Sequence, residues 1–485
     1  MDINTMIQRI QNTKLSDGTI TRTEFVDAGA SVPGLPLGPL PAHIKVNVTC
    51  KPEAGSHIRV EVWLPTENWN GDFVGTGNAG AAGMLLPLVM AGPLKLGFAV
   101  ANTDMGTSEG PDCGIGNKAV WKDFGYRATH LMTVTAKEII ESCYGAGPKH
   151  SYFNGTSTGG QQALQEAQMY PEDYDGILAG APAYDRVNLH LAFLWDWLAV
   201  NAGKGGMFTA EDAAAITATI LEKCGEEGGR RSGDDFMYHP HKIAMKPEVF
   251  ADSGLSEEQV QALMKIYQGL IDPVTGNRIY ESTMMPGSEA CDMGLVHRCE
   301  HPQFEQGLFY IFWWVLGKDF DFTEFDFIQD ARKLHEELDP YLNATATDLS
   351  AFRDMGGKLL LIHGTADPII PYTSSIRYFE QVQKEMGDVD SFFRLFLAPG
   401  MAHTLGGPGV QDVVFGLPAT PQDSKHLGLL ALKDWVETGN APDVLFPVAF
   451  RDNNLVNGFV PGGVGYDREV HPYERRAAQD GNICG

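Results

Sequence analysis

The chain has 485 residues, 43% of them hydrophobic, which suits a large catalytic domain carrying an insertion. Its net charge of -26 at pH 7 argues against nucleic acid and anionic membrane surfaces as partners and leaves a small molecule as the expected one. Seven cysteines (Cys50, Cys113, Cys143, Cys224, Cys291, Cys299 and Cys484) form no C-x-x-C pair, and their odd number leaves at least one thiol unpaired in a monomer, so no disulfide framework is indicated. Met1 to Arg9 lacks a basic start and an apolar run. No stretch of about 18 apolar residues exists, so no transmembrane helix is expected. With Met1 as the natural start, the expected location is cytoplasmic.

Residues 1 to about 44 read as a lead-in, with the turn-rich segment Gly34-Leu-Pro-Leu-Gly-Pro-Leu-Pro. Ile44–Cys50 and His57–Pro65 alternate with period two and predict antiparallel strands. Asp72-Phe-Val-Gly-Thr-Gly-Asn-Ala-Gly then reads as a strand end running into a glycine-rich loop. Leu96–Gly106 predicts a buried strand ending in a polar turn, and Tyr126–Tyr144 a helix with Leu131, Val134, Ile139 and Ile140 as its apolar positions. Ser151–Asn154 is a short strand that leads, through Gly155-Thr156-Ser157-Thr158-Gly159, into a helix. Gly176–Ala183 is a further apolar strand. Strand and helix in alternation imply a mostly parallel sheet with helices on both faces.

Between about Leu189 and Ala344 the pattern breaks into helices (Ala210–Cys224, Ser256–Gly269) and loops rich in glycine, proline and charge. Aromatic residues gather there: Trp195, Trp197, Phe309, Tyr310, Phe312, Trp313 and Trp314. The segment reads as a lid inserted over the sheet's working edge, its aromatics serving either as ordinary core or as a substrate wall. The alternation resumes with strand Lys358–Gly364, helix Thr373–Met386, strand Phe392–Leu397 and helix Leu427–Thr438. The expected division is a core in two parts, 1–188 and 346–485, around a lid at 189–345.

Gly155–Gly159 has the form G-x-S-x-G, in which a serine sits on a tight strand-to-helix corner with its hydroxyl exposed above a sheet. Taken alone, the pentapeptide also suits a helix-capping loop. The rest of the constellation decides. A serine needs a base to take its proton and an acid to hold the base. In α/β-hydrolases these follow in the order Ser, Asp, His, each after a strand. Asp367 follows one predicted strand and His403 the next. Asp367 before Pro368 also suits a plain turn, and His403 an ordinary loop position. The three together at matching strand ends favour a Ser157–His403–Asp367 triad. The Thr158 amide is then one expected oxyanion donor, and the loop Gly77, Asn78, Ala79 and Gly80 the expected source of the other.

With these motifs in place, the sequence resembles the tannase and feruloyl esterase family. The resemblance rests on Asp123-Phe-Gly-Tyr-Arg-Ala, on Ser151–Ala183 almost throughout, on Met285-Pro-Gly-Ser-Glu, on Gly356–Pro371 and on Phe393–His403. It implies an α/β-hydrolase core with a large lid, and hydrolysis of aromatic-acid esters: gallates, hydroxycinnamates and, in one branch, terephthalate monoesters. It also brings two departures. The family usually has cysteines just before the nucleophile and just after the histidine, bridged beside the triad; here these positions are Thr156 and Thr404. A threonine pair packing or hydrogen-bonding across the gap is the expected substitute, and a missing bridge suits a reducing compartment. The calcium loop carried by many members corresponds to Cys224–Asp235, where two arginines separate Glu226-Glu227 from Asp234-Asp235, so no metal is expected there. No cofactor is expected either.

The resulting expectation is a serine hydrolase acting on an ester of a phenolic acid through an acyl-enzyme. Its competitors are the same triad used for lactone opening, acyl transfer or carbon–carbon bond hydrolysis on a polyketide or phenolic metabolite, and a non-catalytic binding protein on a hydrolase scaffold. Trp195, Trp313, Trp314 and Glu289 are the candidate substrate contacts, with Arg127 and His363 behind them as residues of more structural character.

Overall fold

The structure is a computed structural model that describes residues 2–32, 34–201, 207–299 and 310–473. Phe309 of the aromatic group and Cys484 lie outside these residues. The first seven strands are β1 (Thr19–Val26), β2 (His43–Cys50), β3 (Ile58–Pro65), β4 (Phe73–Thr76), β5 (Ala99–Thr103), β6 (Ser151–Thr156) and β7 (Gly176–Gly180). The insertion holds a short ribbon, β8 (Leu270–Ile271) with β9 (Arg278–Tyr280). Strands β10 (Lys358–Gly364) and β11 (Phe393–Ala398) return to the main sheet, whose order is β1-β2-β3-β5-β4-β6-β7-β10-β11. Strands β12 (Val448–Phe450) and β13 (Val464–Asp467) form a separate pair. The β1-β2-β3-β5 edge is antiparallel, and every pairing from β5 through to β11 is parallel.

The parallel strands are apolar on both faces because both faces are covered. Leu359 and Leu361 of β10 enter one hydrophobic cluster, while Leu360 and Ile362 enter the other. Helices Ala128–Tyr144, Thr158–Met169 and Tyr372–Met386 cover the first side. Helices Pro87–Lys95 and Gly428–Thr438 cover the second, with Trp435 fully buried. This is the α/β-hydrolase layering expected from the alternation of elements.

The lead-in contains more than expected: a helix, Ile3–Gln11, capped by Asp2, and then the whole of β1. Strand β1 is an edge strand of sequence Thr-Ile-Thr-Arg-Thr-Glu-Phe-Val, half exposed along its length, so it shows no clean apolar alternation to read.

The chain leaves the sheet after β7 on helix Arg186–Asn201. Helices Ala210–Cys224 and Glu257–Gln268 pack through Ile216, Ile220, Leu263 and Ile266 into a cluster of their own. The aromatic group does something else. Tyr310, Phe312, Trp313 and Trp314 are buried in the core cluster beneath the sheet, Trp314 edge-on to Phe124 at 5.5 Å between ring centres. Among the described residues no helix is long and apolar enough to cross a membrane.

Candidate active site

Strand β6 ends at Thr156 and the next helix begins at Thr158, so Ser157 alone makes the corner, at φ 62° and ψ −117°. That backbone region is costly for a residue with a side chain and persists only where its surroundings fix it. They do: the Ser157 N–H donates to Gly180 O at 2.9 Å, and its carbonyl accepts from Ala183 N at 3.1 Å. Three glycines let the segments close on this corner. A methyl group on Gly77 would stand 2.4 Å from Gly159 Cα and 2.8 Å from Gly155 Cα.

The corner faces two loops from the far half of the chain. His403 Nε2 lies 3.0 Å from Ser157 Oγ, and His403 Nδ1 lies 2.7 Å from Asp367 Oδ2. Asp367 is completely buried just after β10, where Ile369 N and Ile370 N donate to its Oδ1 at 2.8 and 3.0 Å. Burial alone would push this carboxyl up, but His403 and His363, with the hydrogen bonds they give, hold it well below the usual carboxylate range. The buried acid therefore stays ionised and faces an imidazole that bridges it to the serine.

Thr156 and Thr404 both stand at the cavity beside this line, and among the described residues no hydrogen bond joins them. Thr404 takes a positive φ of 65°. The His403 loop is held by its own backbone: Ala402 N donates to Gly406 O (2.9 Å), Gly406 N to Gln411 O (2.8 Å) and Gly409 N to Gly400 O (3.0 Å). Gly400 N in turn donates to Thr365 Oγ1 at 2.8 Å, tying the loop to the end of β10. In the Cys224–Asp235 stretch, Asp234 pairs with Arg468 at 3.0 Å.

The loop Gly77–Gly80 lies against the corner, but not all of its amides are available. Gly77 N donates to Asn154 O (3.0 Å) and Asn78 N to Gln162 Oε1 (2.8 Å). Both are committed to holding the loop, so of the four expected positions Gly77 and Asn78 have no amide to offer an oxyanion, while Ala79 and Gly80 keep theirs. Among the described residues neither the Ala79 nor the Thr158 N–H donates to a protein acceptor. Thr158 Oγ1 donates to Gly80 O at 2.7 Å and accepts from Arg186 Nη2 at 2.8 Å, so one hydroxyl stitches loop, corner and the exit helix together.

A cavity of about 330 Å³ opens above Ser157 and His403. That volume is at the lower end of small-molecule sites. Its apolar wall includes Leu86, Val89, Leu189, Phe193, Ile369 and Phe415, and the insertion contributes Met293 and His297. Arg186 and His190 add polarity. His297 is pushed down to about 4 by burial and by neighbouring Arg298, so it is neutral at pH 7.

None of Trp195, Trp313, Trp314 and Glu289 is in this wall. Trp195 donates to Lys265 O at 3.1 Å and lies under the Lys265 ammonium, inside the insertion. Trp313 and Trp314 are core, because large aromatic surface is stabilised most by complete burial. Glu289 is buried as the acceptor for Tyr267 OH (2.6 Å), Thr217 Oγ1 (2.8 Å) and Gly287 N (2.9 Å), holding its own turn. Arg127 pairs with Asp123 and Glu53, away from the cavity. His363 lies behind Asp367 and does not line the cavity. The residues missed in the sequence are Arg186, His190, Met293 and His297. None of the four stands in a pattern that marks it: Arg186 follows Asp185 where the helix after β7 begins, and the two read as an ordinary charged pair.

Comparison with known proteins shows the family and the fold. The family model described as tannase and feruloyl esterase matches residues 44–482. An uncharacterised esterase of Xanthomonas campestris is 30% identical over 92% of this chain and 84% of its own length. Feruloyl esterase B of Aspergillus niger is 30% identical over 80% of this chain and 76% of its own. The crystal structure of feruloyl esterase B from Aspergillus oryzae superposes with a TM-score of 0.83 at 26% identity, covering 96% of each chain. Tannin acyl hydrolase from Aspergillus niger shares the fold, with a TM-score of 0.71 at 20% identity over 96% of this chain and 91% of its own. The chain belongs to the tannase and feruloyl esterase family, carboxylic ester hydrolases on an α/β-hydrolase core.

Proposed function

We propose that the protein hydrolyses an ester of a phenolic acid through a Ser157–His403–Asp367 triad. The observation that carries this is the unbroken line from Ser157 Oγ through His403 to Asp367 Oδ2, 3.0 and 2.7 Å in its two steps, on the floor of a largely apolar cavity. Relatives named feruloyl esterase supply the class of acid.

In this reading Ser157 Oγ attacks the ester carbonyl as His403 Nε2 takes its proton. Asp367 fixes the imidazole so that Nδ1 is its donor and stabilises the cation that forms. The oxyanion of the tetrahedral intermediate is received by the Thr158 and Ala79 amides, and each contributes roughly 3 to 4 kcal/mol of transition-state stabilisation. His403 returns the proton to the leaving alcohol. It then activates water against the acyl-Ser157 ester, releasing the acid. The insertion, with Met293 and His297 in the cavity wall, acts as a lid.

The test is turnover of methyl gallate, methyl ferulate, chlorogenate and a simple aryl acetate, with Ser157→Ala as control. Hydrolysis of one aromatic-acid ester, abolished by the substitution, is the expected result. Turnover surviving in Ser157→Ala, or activity confined to the aryl acetate, contradicts the proposal.

A further inference from the structure

Arg186 is a cation without a counter-charge. It is only 3% exposed, it stands in the cavity wall, and no aspartate or glutamate pairs with it among the described residues. Its Nε finds no hydrogen-bond partner. Nη2 reaches Thr158 Oγ1 at 2.8 Å and, more distantly, Gly80 O at 3.5 Å, both neutral acceptors. Its plane lies over the Phe124 ring, 5.2 Å from the centre.

An arginine removed from water is normally matched by a carboxylate or phosphate, because an unmatched buried charge loses its hydration without return. The chain does not lack acids: aspartate and glutamate number 62 against 36 lysines and arginines. Yet no carboxylate lines this cavity among the described residues. The imidazole of His297, neutral at pH 7, adds no positive charge, so the cavity presents a fixed guanidinium in a largely apolar setting that also holds the imidazoles of His190 and His403. A site of this composition is complementary to an anion with an apolar body.

We propose that the ester bound in this cavity carries an ionised carboxylate, and that Arg186 is the residue that receives it. This rests on the esterase reading above and adds the charge of the substrate to it. The carboxylate can belong to the acid half of the ester or to the alcohol half. Either way the ligand supplies the charge that the protein withholds, and Arg186 selects by charge, while Ser157 carries out the chemistry.

The test uses binding, so that it does not depend on turnover. Calorimetry on Ser157→Ala compares two pairs of esters. Monomethyl and dimethyl isophthalate differ by a charge on the acid half. Benzoyloxyacetate and its methyl ester differ by a charge on the alcohol half. The charged member of at least one pair is expected to bind about tenfold tighter or more than its neutral partner, and the pair concerned identifies the half. Adding Arg186→Leu brings that ratio toward one, and Arg186→Lys retains part of it. Neutral members that bind as well as or better than charged ones in both pairs overturn the proposal, as does a ratio unmoved by Arg186→Leu. The first comparison needs no arginine variant, so a misfolded Arg186→Leu does not remove the test. Failure of the esterase reading shows separately, as wild-type enzyme that neither turns over an ester nor is labelled at Ser157 by a phosphonate.

Discussion

Two imidazoles share one oxygen of Asp367: His403 Nδ1 approaches Oδ2 at 2.7 Å and His363 Nε2 approaches it at 3.2 Å. His363 Nε2 also faces the Ile370 carbonyl at 3.0 Å, and a carbonyl only accepts, so this nitrogen bears the proton. Ser375 Oγ, 2.7 Å from Nδ1, completes the other side. His363 is thus a positioning residue that fixes the carboxylate from behind.

His363→Ala is expected to lower kcat about tenfold with little change in KM, the effect of one lost buried hydrogen bond to a charged group. It also has a pH signature. The Asp367 carboxyl is held low, so its contribution to stability is present above the ordinary carboxylate value near pH 4 and is lost as pH falls through its lowered value. Without His363 the lowered value rises, so the contribution is smaller and its loss is complete at a higher pH. His363→Gln, which retains an N–H, restores part of both. Urea unfolding across a pH series and a kcat/KM profile read the two effects, and an unmoved acid limb in His363→Ala contradicts the assignment.

The glycine contact makes a second prediction. Gly77→Ala forces a methyl group to 2.4 Å from the Gly159 backbone, so the loop bearing Ala79 has to move. Overpacking of this kind costs about 1–3 kcal/mol in stability. Displacing an oxyanion donor lowers kcat a further hundredfold or so. Gly147→Ala is the control: nothing lies within 4 Å of its added methyl group, and both readouts are expected to stay within about 0.5 kcal/mol of wild type. Thermal midpoints and kcat for the two variants settle it, and a fully active Gly77→Ala counts against the oxyanion geometry.

How far the site was legible in the sequence follows from how local each feature is. The corner at Ser157 was legible because strand, glycine spacing and helix all fall within one short stretch. Asp367 and His403 were legible because each directly follows a buried strand, β10 or β11. The cavity wall was not, because Val89, Arg186, Met293 and Phe415 come from four distant segments and only the fold brings them together. The aromatic cluster misled for a physical reason. Trp313 and Trp314 look like a ligand wall by type, but their surface was needed to join the insertion to the core. Within Gly77–Gly80, glycine content marked the loop, while the hydrogen bond from Asn78 N to Gln162, which removes one amide from use, is long-range and invisible to pattern.

The insertion is anchored near Asp367 by Arg298, which donates to Pro368 O, to Met293 O at 2.9 Å and to Thr283 Oγ1 at 2.9 Å. Its acidic partner, Asp196, is pushed up to about 6, chiefly by burial, with Arg298 and Thr283 opposing. A raised carboxyl lends stability that is fully present below its ordinary value near pH 4 and is lost as pH rises through about 6. Asp196→Asn is therefore expected to flatten the fall in stability between about pH 4 and pH 6, a difference of up to about 3 kcal/mol. Denaturant midpoints across that range measure it, and a slope identical to wild type contradicts the account.

During turnover Ser157 is expected to carry the acyl group. The most direct measurement is mass spectrometry of enzyme quenched during turnover of a slowly released phenolic ester, with peptide mapping. One acyl group per chain is expected on the peptide containing Ser157, absent from Ser157→Ala. Turnover without an adduct on that peptide, persisting in Ser157→Ala, would contradict it.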